Sequence, residues 1–337
     1  MSVYSVRLRP RGAFHLGERG IGYEETSELV HADTLFGALC SVWGLLYGEK
    51  AVGEDLLPNG PGPWEPPFLF ASAFPRAGSV RFYPKPLLPP PHTDPAEWKE
   101  VRWISEDLFV AWLRRTPLRP APDRVHGGTV ALTEDECETL RRELPDWQPD
   151  GPLWKVARVP RVTLDVATHA SELWHFGRLH FGPECGLHLW VDVRRLDDRL
   201  WTALRLLGDV GLGGDRSAGH GLFDLEFSEE TPPWPASDTR FVTLSPVYPC
   251  PPHAPNQVAE LLQDGCAYRL LTRTGWIGTA FATPYRRKAV RLIEEGSVLT
   301  GSTHRVWGGL ADVTPDQVPD LPHRVYRWGY AFPAGVS

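Results

Sequence analysis

The feature that constrains this chain most is a segment of eleven residues, Gly211 to Gly221, in which five residues are glycine. It follows an apolar pattern typical of a helix over residues 196–207 and precedes a strand pattern over residues 222–227. Glycine allows positive φ angles and a close approach of the backbone to a ligand. Consecutive exposed N–H groups in such a loop can bind an anion, with Arg216 and Ser217 as further donors. A tight turn that binds no ligand is the alternative interpretation.

The order of elements around this loop argues against an ATP site, because a Walker loop follows a strand, precedes a helix and ends in Gly-Lys-Ser/Thr. Here the helix comes first and that lysine is missing. The five cysteines include no Cys-x-x-Cys pair, so we expect reduced thiols and no zinc site. The most apolar run, residues 35–47, is too short to cross a bilayer, and residues 1–10 lack the apolar stretch of a signal peptide. We therefore expect a cytoplasmic protein with no metal and no other cofactor.

Strand and helix patterns form two similar series along the 337 residues. In each half, strand patterns flank an apolar helical pattern, at residues 33–47 and at residues 196–207. Such series are typical of ferredoxin-like sheets. The sequence therefore predicts an α+β fold of two tandem ferredoxin-like (RRM-like) domains, at residues 1–152 and 153–337, and we interpret the Pro-rich residues 84–152 as an insertion or peripheral lobe. The predicted strands cover residues 3–8, 68–74, 80–83, 162–166, 173–181, 186–193, 222–227, 241–244, 268–274, 289–293 and 325–332.

The net charge of −7, from 35 Lys and Arg against 42 Asp and Glu, argues at first sight against a nucleic-acid-binding protein. The charges are unevenly distributed, however. Residues 1–17 and 265–293 contain three and six basic residues and no acid, whereas residues 133–150 contain seven acids and two bases. Thirty of the 35 basic residues are Arg, whose planar guanidinium suits phosphate binding and base stacking. The distribution is thus compatible with a basic track for RNA.

Single-stranded RNA is usually bound by phosphate contacts together with base stacking on aromatic side chains. The candidates for stacking each lie within two residues of Gly or Arg, and burial in the core is the alternative for every one of them. They are Phe14, His15, Tyr23, Phe176 and Tyr285.

Further motifs accompany the glycine-rich segment along the chain. They are Phe14-His15-Leu16-Gly17, His31-Ala32-Asp33-Thr34-Leu35-Phe36-Gly37-Ala38-Leu39, Pro160-Arg161-Val162-Thr163-Leu164-Asp165, His175-Phe176-Gly177-Arg178, Arg287-Lys288-Ala289-Val290-Arg291 with Glu295-Gly296-Ser297-Val298, and Arg327-Trp328-Gly329-Tyr330-Ala331-Phe332-Pro333. The glycine-rich segment resembles the loop of the RAMP superfamily of CRISPR-associated proteins. The whole set, in this order, resembles the Cas-five-like subunit of the type III-A (Csm) effector complex. Residues 84–152 contribute nothing to the resemblance.

The resemblance implies two RRM-like folds that hold the 5′ repeat-derived tag of the guide RNA (crRNA). It also implies two protein partners, the large Cas-ten-type signalling subunit and the neighbouring backbone RAMP subunit, and no role at a membrane. Catalysis would then lie in the partners, so we expect this chain not to be an enzyme. The residues expected to contact RNA are His15, Gly17, His31, Arg161, Thr163, Gly213, Gly214, Arg216, Ser217, Gly219, Tyr285, Arg286, Arg287, Lys288 and Arg291.

Two other functions are compatible with the same residues. The His31-x-Asp33 pair, or His15, could serve as a general base on a ribose 2′-OH, which would make the chain a RAMP-type endoribonuclease. The structural alternative is that Asp33 caps the following helix while His31 positions the preceding loop. The chain could also be a protein–protein adaptor with no RNA contact of its own.

Overall fold

The computed structural model describes residues 2–17, 24–58, 64–122, 125–149, 151–164, 171–277, 285–316 and 324–337. The helices are α1 Ala32–Tyr47, α2 Glu49–Ala51, α3 Glu106–Leu113, α4 Glu134–Glu143, α5 Asp197–Val210 and α6 Gln257–Leu261. The strands are β1 Ser2–Pro10, β2 Phe68–Phe70, β3 Phe74–Ala77, β4 Val80–Pro84, β5 Trp103–Ser105, β6 Val130–Ala131, β7 Trp154–Leu164, β8 Ser171–Phe181, β9 Cys185–Val193, β10 Phe223–Glu229, β11 Arg240–Thr243, β12 Leu270–Arg273, β13 Val290–Ile293, β14 Val298–Thr300, β15 Ala311–Asp312, β16 Tyr326–Arg327 and β17 Pro333–Gly335.

The largest sheet has the strand order β10-β1-β9-β3-β4-β5-β6, and β2 also pairs with β9. All its pairs are antiparallel except that of β5 with β6. Strand β1 lies between β9 and β10, with Val6 opposite Leu189 on one side and Phe227 on the other. This mixed α+β architecture with a mostly antiparallel sheet confirms the coarse fold prediction.

Helices α1 and α5 pack against each other. Each buries an apolar stripe at helical spacing, such as Leu35, Leu39 and Val42 on α1. Trp201 on α5 stacks on Phe227 of β10, with ring centroids 3.9 Å apart. Apolar periodicity therefore predicted both helices correctly. None of the helices in the described ranges has both the length and the apolar character needed to span a bilayer.

The main sheet joins strands from both sides of residue 152, because β1 to β6 precede that residue and β9 and β10 follow it. The Pro-rich residues 84–152 extend this sheet: β5 pairs with β4, and β6 with β5. Ile104, Phe109 and Trp112 are buried in the same apolar core as β1 and α1. The segment is thus a continuous part of the central layer.

The C-terminal residues build smaller sheets beside this core. Strands β14, β11 and β17 form one sheet, and β12–β13 and β15–β16 form two-stranded ones. The predicted strand at residues 325–332 is wrong for most of its length, since only Tyr326–Arg327 is a strand. Residues 327–332 are buried without the alternation of a strand, and a side chain at Gly329 would lie 2.5 Å from Cβ of Tyr248. Close packing therefore determines the conformation there.

Candidate nucleic-acid interface

The glycine-rich loop folds tightly against the segment that follows β1. Gly211 ends α5 with φ of 88°, and Gly213 has φ of 87°. The amide of Gly214 donates to the carbonyl of His15 (2.9 Å), and that of Gly221 donates to the carbonyl of Ala13 (2.9 Å). A Cβ at Gly213 would lie 2.2 Å from the His15 carbonyl oxygen. The glycines at 213 and 214 thus allow the loop to approach His15, and several of its amides are bonded within the protein.

His15 forms the centre of a stacked group. Its side chain is buried, and its Nδ1 donates to the carbonyl of Gly177 (2.8 Å). The ring stacks on Phe176 of β8 at 4.3 Å between centroids. The guanidinium carbon of Arg161, on β7, lies 4.3 Å from the centroid of the same Phe176 ring. The structure therefore brings together His15, Arg161, Gly213 and Gly214, four residues that the sequence predicted for one site.

A carboxylate inside the loop organises the charges of this group. Asp215, with φ of 58°, forms an ion pair with Arg161. The hydrogen bond from Arg161 lowers the pKa of Asp215. The Nδ1 of His220 lies 3.6 Å from the same carboxylate, but burial and the positive charge of Arg178 lower the pKa of His220. His220 is therefore neutral at neutral pH. Strands β7 and β8 pair antiparallel in a two-stranded sheet of their own, and the Arg161–Asp215 pair fixes the loop to this β7–β8 hairpin.

The tip of the loop faces solvent. Arg216, Ser217 and Gly219 are exposed on a 3₁₀ turn. Gly17, which follows the His15 segment, is also exposed. At the far end of the hairpin, exposed Thr163 accepts a hydrogen bond from Trp174 Nε1 (3.0 Å). These groups place hydrogen-bond donors on the protein surface, above the buried stack of His15, Phe176 and Arg161.

His31 and Asp33 lie in a separate, fully buried cluster. The Nδ1 of His31 donates to Glu295 (2.8 Å), which also accepts from Ser72. Asp33 forms ion pairs with Arg273 (3.0 Å) and with Arg327. The prediction that Asp33 caps α1 is wrong: α1 begins at Ala32, with His31 at the cap position and no side-chain cap bond. His31 therefore faces protein, 5% exposed, and the buried cations explain the choice of an acid at position 33.

Ion pairing determines the pKa values in this cluster. Burial favours the neutral forms, but the Arg273 and Arg327 charges hold the pKa of Asp33 well below its usual range. Burial likewise opposes charge on His31 and Glu295, yet their mutual attraction raises the pKa of His31 and lowers that of Glu295. The cluster is thus a set of buried charges that stabilise one another.

The basic residues of the C-terminal part divide between surface and interior. Arg286, Lys288 and Arg291 are exposed, and Lys288 forms an ion pair with Asp316. Arg287 is half-buried, and burial together with the Arg327 charge lowers its pKa to about 10. Tyr285 is also half-buried and packs beside the small cluster of Ile277, Val313 and Val325. Among the described contacts, none joins this group to the His15 stack.

Most of the aromatic residues predicted to stack on RNA bases are buried in the protein. Phe14 is fully buried, and Phe176 is buried beneath His15 and Arg161. Tyr23 lies outside the described residues. Sequence reasoning missed Asp215 and Trp174, which complete the His15 group. An acid inside a glycine segment that is otherwise rich in donors was the available signal for Asp215.

Comparisons with known proteins agree with one another. Residues 237–336 match the family model described as the CRISPR Csm4 C-terminal domain. The chain is 28% identical over 337 residues to the CRISPR system Cms protein Csm4 of Thermococcus onnurineus, across 99% of this chain and 96% of that protein. It is 24% identical over 308 residues to the protein of the same name from Mycobacterium tuberculosis, across 89% of this chain and 88% of that protein.

Two solved structures show the same fold. One is a chain of the Csm3–Csm4 subcomplex of the type III-A CRISPR-Cas interference complex, with a TM-score of 0.65, 15% identity and 99% coverage of both chains. The other is a chain of the Csm1–Csm4 cassette in complex with cA4, with a TM-score of 0.58, 21% identity and coverage of 100% and 98%. These findings confirm the resemblance that the motifs indicated.

Proposed function

We propose that this chain, a Cas-five-like RAMP subunit of the type III-A (Csm) kind, is the non-catalytic crRNA-binding subunit of its effector complex. It would hold the 5′ repeat tag of the guide RNA and join the large signalling subunit to the backbone RAMP subunits in antiviral defence. Relatives that share its fold were solved as Csm1–Csm4 and Csm3–Csm4 assemblies, which supports these two partners. A location in the cytoplasm belongs to the same proposal.

The observation that carries the proposal is the His15 stack beneath an exposed glycine loop. Arg216 and Ser217 stand on the surface of a loop whose shape is held by the backbone of His15 and by the Arg161–Asp215 ion pair. Solvent-facing donors of this kind can form hydrogen bonds with the phosphates of a single RNA strand. Such phosphate contacts form at the protein surface and need no deep groove. Exposed Arg286 and Arg291 provide a second basic surface at the C-terminal part.

A catalytic role for the two histidines finds little support in their surroundings. His31 is buried and bonded to Glu295, and His15 is 7% exposed beneath Arg161 and the loop. A general base must come within hydrogen-bond reach of the 2′-OH from which it takes the proton. Both rings are directed at protein groups, so we propose that they position the backbone instead.

We also propose that the main sheet contains the first of two ferredoxin-like units. The order β10-β1-β9-β3 with helices α1 and α5 follows the pattern β-α-β-β-α-β of that fold. The second unit would then fall within residues 237–336, the range of the C-terminal family match. On this proposal the boundary lies near residue 236, with residues 84–181 inserted into the first unit.

The test is RNA binding by the assembled complex with a variant of the loop tip. We expect Arg216→Ala with Ser217→Ala to weaken binding of guide RNA with an intact 5′ tag. The slope of log affinity against log salt should become shallower by about 0.7 for each phosphate that the variant no longer neutralises. Arg142→Ala on the acidic helix α4 removes the same charge from an exposed position and serves as the control. Fluorescence anisotropy at several salt concentrations measures both quantities.

Three results would contradict the proposal, each in a different way. An unchanged affinity and salt slope in the loop variant would show that this loop does not contact the RNA. Cleavage of repeat RNA by the purified protein, lost in His15→Ala or His31→Ala, would indicate an endoribonuclease. A photo-crosslinkable 5′ tag that labels only other subunits would indicate an adaptor without RNA contact.

A further inference from the structure

The two-stranded sheet of β12 and β13 has a buried inner face and an exposed outer face. On the inner face Arg273 and Leu292 are buried, and Arg273 forms an ion pair with Asp33 of α1 (3.0 Å). On the outer face Thr272 and Arg291 lie directly opposite each other, and both are exposed. The inner contacts therefore anchor the sheet on the core and leave the outer face at the surface.

The outer face continues beyond the two strands with a tryptophan opposite an arginine. Trp276 and Arg286 form an antiparallel bridge. Backbone hydrogen bonds between the neighbouring residues flank this bridge on both sides, from Ile277 to Tyr285 (2.8 Å) and from Arg287 to Gly275 (2.9 Å). A pair flanked in this way has its Cα atoms about 4.5 Å apart and its side chains close together. Trp276 is 50% exposed and Arg286 is also exposed, so an aromatic ring and a guanidinium reach the surface side by side.

The arginines of the outer face differ from their basic neighbours because they have no acidic partner. Arg269, Arg273 and Lys288 pair with carboxylates at 3.5, 3.0 and 2.5 Å. For Arg286 and Arg291, no carboxylate of the described residues lies within the 4.0 Å of an ion pair. Residues 278–284, which connect the two strands and lie outside the described ranges, contain no Asp or Glu. The outer face thus presents two exposed guanidinium groups whose charge the described chain leaves unneutralised.

We propose that this outer face binds single-stranded RNA, with Trp276 stacking on one base while Arg286 and Arg291 bind phosphates of the same strand. Proteins bind single strands by combining aromatic rings, which stack on any base, with basic side chains along the backbone. A guanidinium suits the second task because it can donate to two phosphate oxygens at once. The choice of RNA as ligand rests on the proposed function, whereas the surface is separate from the glycine-rich loop.

The spacing of the two arginines favours a strand over a single small anion. Arg286 lies opposite Trp276 and Arg291 lies opposite Thr272, four residues away, which is roughly 13 Å along a strand. Two unneutralised charges at this separation suit a ligand that carries repeated phosphates. Leu270, 55% exposed beside Thr272, adds apolar surface that suits a base or a ribose. An acidic peptide would pair with the arginines but would leave the exposed ring of Trp276 without a role.

The experiment measures binding of fluorescein-labelled single-stranded RNA to the whole chain by anisotropy at several salt concentrations. We expect Trp276→Ala to weaken binding roughly 5-fold to 100-fold, the effect of losing one stacked base, and Trp276→Phe to retain most of the affinity. Arg286→Ala with Arg291→Ala should make the slope of log affinity against log salt shallower by about 1.4. Leu45→Ala and Arg142→Ala remove an exposed apolar side chain and an exposed charge elsewhere and serve as controls.

An abasic strand of the same length separates stacking from a merely structural effect. With this strand the loss in Trp276→Ala should disappear, whereas the loss in the double arginine variant should remain. Unchanged RNA binding in Trp276→Ala, while Arg216→Ala with Ser217→Ala weakens it, would overturn this inference and leave the proposed function standing. The reverse result would support this inference and contradict an RNA contact at the loop. Binding of polyglutamate or anionic vesicles that the same variants abolish, with RNA binding unchanged, would assign the face to a protein or a membrane and overturn the proposal.

Discussion

At the scale of single residues, the buried ionic cluster at the start of α1 has the strongest consequences for stability. His31 and Ser72 both form hydrogen bonds with Glu295, and all three residues are buried although they are far apart in sequence. Removing one member of a buried pair leaves an uncompensated charge, which is more costly than losing a surface pair. Single substitutions in this cluster should therefore destabilise the fold more than substitutions at the exposed ion pairs.

The His31–Glu295 pair predicts a pH dependence of stability. The folded-state pKa of His31 is raised above 6.5, so its contribution is complete below pH 6.5 and is lost as the pH rises through the folded value. The pKa of Glu295 is lowered from 4.5, so its contribution is lost as the pH falls below that region. We expect the free energy of unfolding of the wild type to fall as the pH rises above 6.5, by at most about 1.4 kcal/mol per pH unit.

Urea denaturation at a series of pH values measures this dependence. His31→Gln should remove most of the decline above pH 6.5, because its side chain does not titrate. His304→Gln, at an exposed position, is the control and should leave the decline unchanged. An identical pH profile in wild type and His31→Gln would show that the pair is not the source.

At the scale of elements, the glycine-rich loop shows that glycines of one segment serve different purposes. Gly213 and Gly219 both have positive φ, at 87° and 81°. A Cβ at Gly213 would lie 2.2 Å from the His15 carbonyl oxygen, whereas a Cβ at Gly219 has no neighbour within 4 Å. The first glycine is required by packing and by conformation, the second by conformation alone.

This difference predicts unequal costs for two alanine substitutions. Gly219→Ala should lower the free energy of unfolding by about 1–2 kcal/mol, the cost of a left-handed backbone for a residue with a Cβ. Gly213→Ala carries the same cost and must also displace His15 from the loop, so we expect a clearly larger loss. Denaturant unfolding of the two variants measures the difference. Equal losses would mean that His15 can move away from the added Cβ without a measurable change in the free energy of unfolding.

The helices and strands that were predictable from the sequence are those that bury only one face, because such burial requires apolar residues at a regular spacing. The helices α1 and α5 and strands β1 and β10 are examples, because each buries one stripe or face. Strand pairing between distant segments, such as β1 with β10, leaves no local signal. The same holds for residues 84–152, whose strands β5 and β6 are too short to show alternation.

The site was predictable only in part for a related physical reason. His15, Arg161 and the loop glycines lie in motifs and do meet in the structure. His31 lies in a motif of equal clarity but is buried, and its partner Glu295 is 264 residues away. A sequence motif can mark a side chain as important, but it does not show whether that side chain faces solvent or the interior.

At the scale of the whole molecule, the N-terminal and C-terminal parts share one core. Trp328, near the C-terminus, is fully buried against Phe36 of α1 and Phe70 of β2. The amide of Ser72 donates to the carbonyl of Leu244 (2.7 Å) across the same boundary. These contacts indicate that the two parts unfold together.

The ion pairs of Asp33 join α1 to β12 and β16, so a substitution of Asp33 tests whether the two parts unfold together. Asp33→Asn leaves Arg273 and Arg327 buried without a carboxylate, so we expect a loss of about 3–5 kcal/mol in the free energy of unfolding. Asp316→Asn breaks the exposed pair with Lys288, with side chains 80% and 43% exposed, and should cost no more than about 1 kcal/mol. Calorimetry should show one transition in both variants. A second transition in Asp33→Asn, or losses of the same size, would mean that the two parts are stable independently of this link.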